Sequence, residues 1–367
     1  MKRPLAFLLI MVLLLGLTAC APTEGKLVYN ILVDPGVVLS TEKAEAATYK
    51  VERANLLDYY GHFAKRFLAS ASIPNDQRAK SEYAVRATDG SELLINPISG
   101  IHYIVPAYEY ISGVFNYRSA GAADPARDDT LFFERDVDLP FMPRARAEDI
   151  VKEEVSRVQA GDVRGTVFFL FERYTLNVKE TFALDHRSLS AREEDKLAVE
   201  RQENPREGEE SAGKGQWGVE DDCYYVVMEV CLDDIPLLGK SRDLDYLLVY
   251  GVTVEICYGA EGIRYLKVSP IYEVHDEALS SGTIISAADA LACVKAKYAG
   301  IISTKETTVK SLELCYAAFP DDATQKNYHL VPAWCAELQE KMLLDDGKTY
   351  YVTSTLYFNA YTGKEFL

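Results

Sequence analysis

Three times along this chain an apolar helix face is followed by a run of extended segments, and that recurrence restricts the fold more than any other feature. Leu56, Tyr60, Phe63, Ala64 and Phe67 fall at i, i+4, i+7, i+8 and i+11, one face of a 3.6-residue period. The segments "YAVRA", "ELLIN" and "IHYIV" follow. Asp89-Gly90 separates the first two, a strong hairpin signal, and Asn96-Pro97-Ile98-Ser99-Gly100 separates the next two. Ala147, Ile150, Val151, Val155 and Val158 form a second helix face. It precedes "TVFFLFERYTL", "CYYVVMEVCL", "LLVYGVTVEIC", a turn over Tyr258–Gly262, and "IRYLKV". "GIHY" at Gly100 is echoed by "GIRY" at Gly262. A third helix begins at Ser286, where Asp289 completes a capping box, and its face is Ala287, Leu291, Val294 and Tyr298. Its strands are "VKSLELCYAAF", "YHLVPAWCAEL" and "YYVTSTLYFNA".

Two strand tips, at Asn96 and Asn359, share the pattern Asn-x-x-Ser/Thr-Gly. Asn turns the chain through its own side chain and Gly supplies a positive φ. The pattern predicts an α+β fold of tandem modules, each a helix packed on an antiparallel sheet. They span residues 48–118, 140–275 and 283–367. In "YHLVPAWCAEL", Leu330, Pro332, Trp334, Ala336 and Leu338 share the apolar face, and Pro332 predicts an edge strand or a bulge. Residues 190–222, inside the second module, hold eleven acids against five bases and little apolar content, which predicts a solvated, mobile insertion.

The N-terminus sets the location. Lys2 and Arg3 precede an apolar run from Leu5 to Leu17, about 13 residues and short of the roughly 20 that span a bilayer. Such a start is a secretory signal. Ending in Leu17-Thr18-Ala19-Cys20, it resembles the bacterial lipobox. That resemblance implies removal of residues 1–19, a lipid on Cys20, a tether over residues 20–47, and a chain held on the outer face of the plasma membrane. Losing Lys2 and Arg3 moves the formal charge from −17 to −19. A surface of that sign repels nucleic acid and anionic headgroups and favours basic partners.

Chemistry leaves little trace. His62, His102, His186, His275 and His329 show no H-E-x-x-H or H-x-H spacing, and "VHDE" at residues 274–277 reads more simply as an acidic segment in a linker than as a ligand set. No nucleophile motif or Gly-rich phosphate loop occurs, so no catalytic residue, metal ligand or cofactor is assigned. Beyond Cys20 there are six cysteines and no C-x-x-C. Placing the hairpin turn over residues 320–327 brings Cys315 and Cys335 close to facing positions on adjacent strands. The connection 235–242 does the same for Cys223 and Cys257. Both pairs are candidate cross-strand neighbours, as disulfides or as free thiols.

The segments "AADALACVKAKY", "VKSLELCYAAF", "YHLVPAWCAEL" and "STLYFNAYTGKEF" resemble the PepSY-like domain, a helix on a cystatin-like antiparallel meander. With the lipobox, the whole resembles regulatory lipoproteins of clostridial type and, more distantly, the YycH/YycI proteins that restrain a cell-wall sensor kinase. The resemblance implies a non-enzymatic envelope protein that binds a peptide, protein or wall ligand and regulates a membrane partner. A lipid anchor in place of a transmembrane helix departs from YycH/YycI and removes a direct route for signalling through the membrane. Two alternatives stay open, an extracytoplasmic hydrolase whose site is assembled from distant residues and a propeptide-like protease inhibitor.

Overall fold

The computed structural model describes residues 31–54, 56–68, 83–96, 100–106, 108, 137–161, 167–191, 216–239, 242–244, 247–249, 251–299, 306–321, 327–343 and 349–366. In chain order the strands are β1 (Ile31–Val33), β2 (Glu45–Arg53), β3 (Tyr83–Arg86), β4 (Glu92–Asn96), β5 (Gly100–Ile104) and β6 (Gln159–Gly161). Next come β7 (Val167–Phe169), β8 (Thr175–Leu184), β9 (Cys223–Leu232), β10 (Ile235–Pro236), β11 (Arg242–Leu244) and β12 (Leu247–Val249). The last six are β13 (Thr253–Gly259), β14 (Gly262–Val268), β15 (Tyr272–Thr283), β16 (Thr307–Pro320), β17 (Asn327–Leu343) and β18 (Thr349–Asn359). The helices α1 (Tyr60–Phe67), α2 (Arg144–Ser156) and α3 (Ala287–Tyr298) lie among them, and of the described residues 186–191 are also helical.

The tandem α+β modules do not form. Strands hold 53% of the described residues and helices 20%, and two large sheets carry the fold. One sheet has six strands in the order β1-β16-β17-β2-β15, with β18 also on β17. The other has eight in the order β10-β9-β13-β14-β5-β4-β3, with β8 also on β9. The first sheet is built from both ends of the described chain and the second from its middle. β2 pairs with β15 and β17, and β5 with β14, so strands expected in separate modules share ladders. The physical reason is that a helix face or a strand run is a local pattern, whereas ladder partners are chosen by whichever edge buries the apolar face.

The local readings hold within this different plan. Ala147, Val151 and Val155 of α2 are fully buried, as are Ala290 and Val294 of α3. Ser286 and Asp289 form the predicted capping box. Asn359 Oδ1 accepts from the backbone of Tyr361 and Thr362, and Gly363 adopts φ +67°. Ala87 and Ser91 close the Asp89-Gly90 turn. The strand-end stretch 31–33, expected as tether, instead pairs in parallel with Thr307–Val309 of β16. The lipobox and Cys20 lie outside the described residues.

The long strand β17 resolves the position of Pro332. On one side it pairs with β16 throughout, Tyr316 opposite Pro332. On the other, residues 327–330 pair with β2 and residues 333–343 with β18. Pro332 stands in the gap between those two partners, where no ladder asks for its missing N–H. The predicted edge is therefore a local one inside a central strand. Trp334, two residues on, packs with Leu338, Phe358, Leu291 and Val294 under α3, and its Nε1 donates to Ile285 O at 3.0 Å.

The sheets meet at β10 and β16. Leu237 bridges Tyr316, and Leu238 N donates to Tyr316 O at 2.8 Å. The turn from β9 to β10 places Asp233 and Asp234 at φ 50° and 62°, and the Tyr49 hydroxyl of β2 donates to the Asp233 carboxylate. One core spans the junction, with Tyr316, Tyr328 and Leu330 from one sheet against Tyr224, Val226 and Ile256 from the other.

Candidate functional site: a free sheet edge and two thiol pairs

The sheet edges differ in how they are protected. β15 pairs only with β2 among the described residues, and two register irregularities and the charged residues Glu273 and Glu277 interrupt it. Bulges and charges are the usual defences of an edge. β18 has neither. Its sequence, TYYVTSTLYFN, contains no charged residue, no Pro and no Gly, and its pairing with β17 is unbroken over eleven residues. At its end, Phe366 N donates to Tyr357 O and Asn359 N to Lys364 O, so the C-terminal turn closes that part. Over residues 349–354, among the described residues, no strand lies along the outer side. Val352 is 40% exposed, Thr353 is exposed, and Tyr350 and Tyr351 are half-buried. The result is an unbulged edge about 20 Å long, with Thr349, Tyr351 and Thr353 on one face and Tyr350, Val352 and Ser354 on the other.

The charge around this edge is acidic. Glu340 lies opposite Val352 and Glu337 opposite Thr355, with Lys341 opposite Tyr351 as the compensating cation. A chain added outside β18 would sit about 10 Å from those carboxylates, two strand spacings and about one Debye length.

Both predicted cysteine pairs come together on adjacent strands, displaced from the facing position. Cys315 lies opposite Ala333 and Cys335 opposite Glu313. Cys257 lies opposite Tyr225 and Cys223 opposite Gly259. Each pair is therefore diagonal, with its two thiols hydrogen-bonded to one another. None of the described cysteines is in a disulfide. Diagonal ladder positions are about 7–8 Å apart, beyond the usual Cα span of a disulfide.

The surroundings of the two pairs differ. Cys223 and Cys257 are completely buried beneath Tyr108, Trp217, Leu184 and Leu189, which make a second core on the far face of their sheet. Trp217 and the buried Asp221 and Asp222 belong to the end of the acidic insertion, so residues 216–222 fold back onto the sheet instead of extending into solvent. The Tyr108 hydroxyl donates to Asp221 O at 2.7 Å, and Gly218 N donates to Asp221 Oδ2 at 2.9 Å. Cys315 is buried with Leu238, Ala317, Ala333 and Tyr357, whereas Cys335 is half-buried at the rim of that cluster. Desolvation pushes the Cys257 thiol far above its ordinary value, helped by the bond to Cys223.

Convergent ionisable groups are few. Among the described residues no cluster of three or more His, Cys, Asp or Glu side chains has metal-holding geometry. His186 Nδ1 lies 3.0 Å from Asp222 Oδ1, which also accepts from the His186 backbone N at 2.6 Å. Ser190 Oγ donates to the His186 carbonyl, away from the ring. The pair pins a short helical turn to Asp222, the residue directly before β9, and presents no aligned nucleophile. His329 lies 3.3 Å from Asp321 at the β16–β17 turn. His102 stacks edge-on against Tyr265, and burial lowers its affinity for a proton. The side chains of His62 and of His275 and Asp276 in "VHDE" lie outside the described residues.

Tyrosines, by contrast, concentrate at the junction and beneath the sheets. Burial, then the hydrogen bond to Asp233, pushes the Tyr49 hydroxyl up to about 12. Burial likewise raises Tyr108, Tyr174, Tyr225, Tyr265 and Tyr316. An unfolded tyrosine ionises near pH 10, so above that pH the unfolded chain binds fewer protons than the native one. The stability contributed by these groups is fully present below about pH 10 and is lost as pH rises through about 12. The thiols of Cys257 and Cys315 are also raised and add an earlier loss, so denaturant midpoints should decline above about pH 8.5 and fall more steeply above about pH 10, with phenolate absorbance appearing together with unfolding. Phenolate absorbance rising smoothly while the fold persists would contradict this.

No family model matches this sequence, and no curated protein does. Among solved structures the chain is similar to an uncharacterized protein from Eubacterium rectale ATCC 33656, with a TM-score of 0.60 at 16% identity. The match covers 90% of this chain and 88% of that one. At that identity the likeness shows the fold alone, carried through both sheets.

Proposed function

We propose that this chain is a non-enzymatic, lipid-anchored envelope protein that captures an extended, basic polypeptide segment along β18 and so modulates a membrane partner. The observation that carries the reading is the uncharged, unbulged outer edge over residues 349–354. Such an edge gives affinity through main-chain hydrogen bonds and selectivity through alternate side chains. The sign of the ligand follows from the acids of β17 and the net charge of −17. A second copy would place the Glu337 and Glu340 of both chains about 14 Å apart, three strand spacings, adding a like-charge repulsion in place of an attraction. The lipobox at Cys20 supports attachment to the outer face of the plasma membrane. The PepSY-like and YycH/YycI resemblances support regulation in place of catalysis.

The test uses three labelled peptides of about ten residues, the length of a typical strand. One alternates Lys and Val, one alternates Glu and Val, and one copies β18. Fluorescence anisotropy should show the Lys peptide binding, weakening with salt, and the Glu peptide failing. Val352→Lys should weaken the Lys peptide at least about tenfold, or 1.4 kcal/mol, while leaving the unfolding midpoint unchanged. Tightest binding by the β18 copy would favour self-association, and no binding by any peptide would overturn the proposal.

A further inference from the structure

We propose that Cys315 and Cys335 form a two-thiolate site for one soft, closed-shell cation of the Cu(I) class. This inference does not rest on the proposed function. It begins with the diagonal register. Cys315 faces Ala333 and Cys335 faces Glu313, so the thiols touch across the ladder while their backbones stand too far apart for an unstrained disulfide. A sulfur–metal–sulfur bridge is more than twice the length of the S–S bond of about 2.0 Å, and it spans a diagonal that a disulfide does not.

The ligand set selects the ion. Thiolates prefer soft cations, and two donors satisfy the linear geometry that Cu(I) accepts. A structural zinc asks for four ligands, and among the described residues no third His, Cys, Asp or Glu joins the pair in metal-holding geometry. Access separates this pair from the other. Cys335 is half-buried and opens to solvent, whereas Cys223 and Cys257 are 0% exposed beneath an aromatic cover.

Both thiols lose a proton to solvent as the cation enters, so two S–H bonds break, two S–metal bonds form, and no electron is transferred. The bound unit carries one net negative charge, to which Glu313, opposite Cys335, adds and which Lys179 opposes.

The experiment titrates the full, reduced chain anaerobically with Cu(I) held by bathocuproine disulfonate. One equivalent should transfer to the protein, with thiolate-to-copper absorbance in the near ultraviolet. Cys335→Ser should abolish both, and Cys293→Ser, which alters a half-buried cysteine outside the pair, should change neither. Because a core substitution can disturb folding, alkylation mapped by mass provides a second reading on the unmodified protein. Cu(I) should protect Cys335 from iodoacetamide and leave Cys293 reactive. Copper remaining on the chelator, two equivalents taken up, or wild-type uptake by Cys335→Ser would each overturn the assignment.

Discussion

Trp334→Ala is expected to lower unfolding free energy by about 3–5 kcal/mol, the cost of removing a large aromatic from a packed core. The indole is 9% exposed and fills the space between β17, β18 and α3, against Leu338, Phe358, Leu291 and Val294. Its Nε1 donates to the carbonyl of Ile285, directly before the N-cap of α3, so the substitution also leaves that carbonyl without its donor. The two losses act at one place, where the helix is docked and started. Chemical denaturation should show the lower midpoint, and circular dichroism should show α3 melting first. Trp334→Phe keeps most of the area and loses the hydrogen bond, and should cost about 1–2 kcal/mol. Equal losses for Ala and Phe would mean that the hydrogen bond and not the packing holds the helix.

Two glycines that look alike in sequence should behave differently. Gly100 and Gly262 open the matching segments "GIHY" and "GIRY", and both adopt positive φ, +90° and +103°. A Cβ at Gly100 would lie 1.9 Å from the backbone oxygen of Val268, on the strand paired with β5. A Cβ at Gly262 meets nothing within 4 Å. Gly262→Ala therefore costs only the left-handed backbone, about 1–2 kcal/mol. Gly100→Ala adds a collision with a strand that cannot move without breaking its ladder, for a total on the order of 3–5 kcal/mol. Urea midpoints of the two variants, measured side by side, should keep that order. A reversed order would place the close approach at the wrong hairpin.

The contrast between these glycines shows how far the sequence could be read. Turns, caps and helix faces depend on neighbours a few residues away, and Asp89-Gly90, Ser286/Asp289 and Asn359–Gly363 were all legible. The strand face of Leu330, Trp334 and Leu338 was legible for the same reason. Strand order was not, because β2 finds β15 and β17 across more than 200 residues, and no local pattern records that choice. The module reading failed there. The hairpin arithmetic for the cysteines selected the right strands and face but missed the diagonal offset, which the turn alone sets: the ladder runs unbroken from Pro320 opposite Tyr328 to Ser311 opposite Glu337, placing Cys315 opposite Ala333 and Cys335 opposite Glu313. The open edge of β18 was hidden too. "TYYVTSTLYFN" reads as a strand, but only the assembled sheet shows that no described strand lies along the outer side of residues 349–354. Trp217 and Asp221 looked like insertion because eleven acids surround them, and their burial depends on Tyr108, more than 100 residues away.

Strand addition at β18 would slow the exchange of its outward-facing amides, so hydrogen exchange reads it out directly. The full chain is exchanged into deuterated buffer with and without the alternating Lys–Val peptide, and the fragment covering residues 349–359 is followed by mass. Exchange over residues 349–354 should slow when the peptide is present, with no change in β15, and Val352→Lys should lose that protection. Peptide binding that leaves residues 349–354 exchanging at the same rate, or that protects β15 in their place, would contradict it.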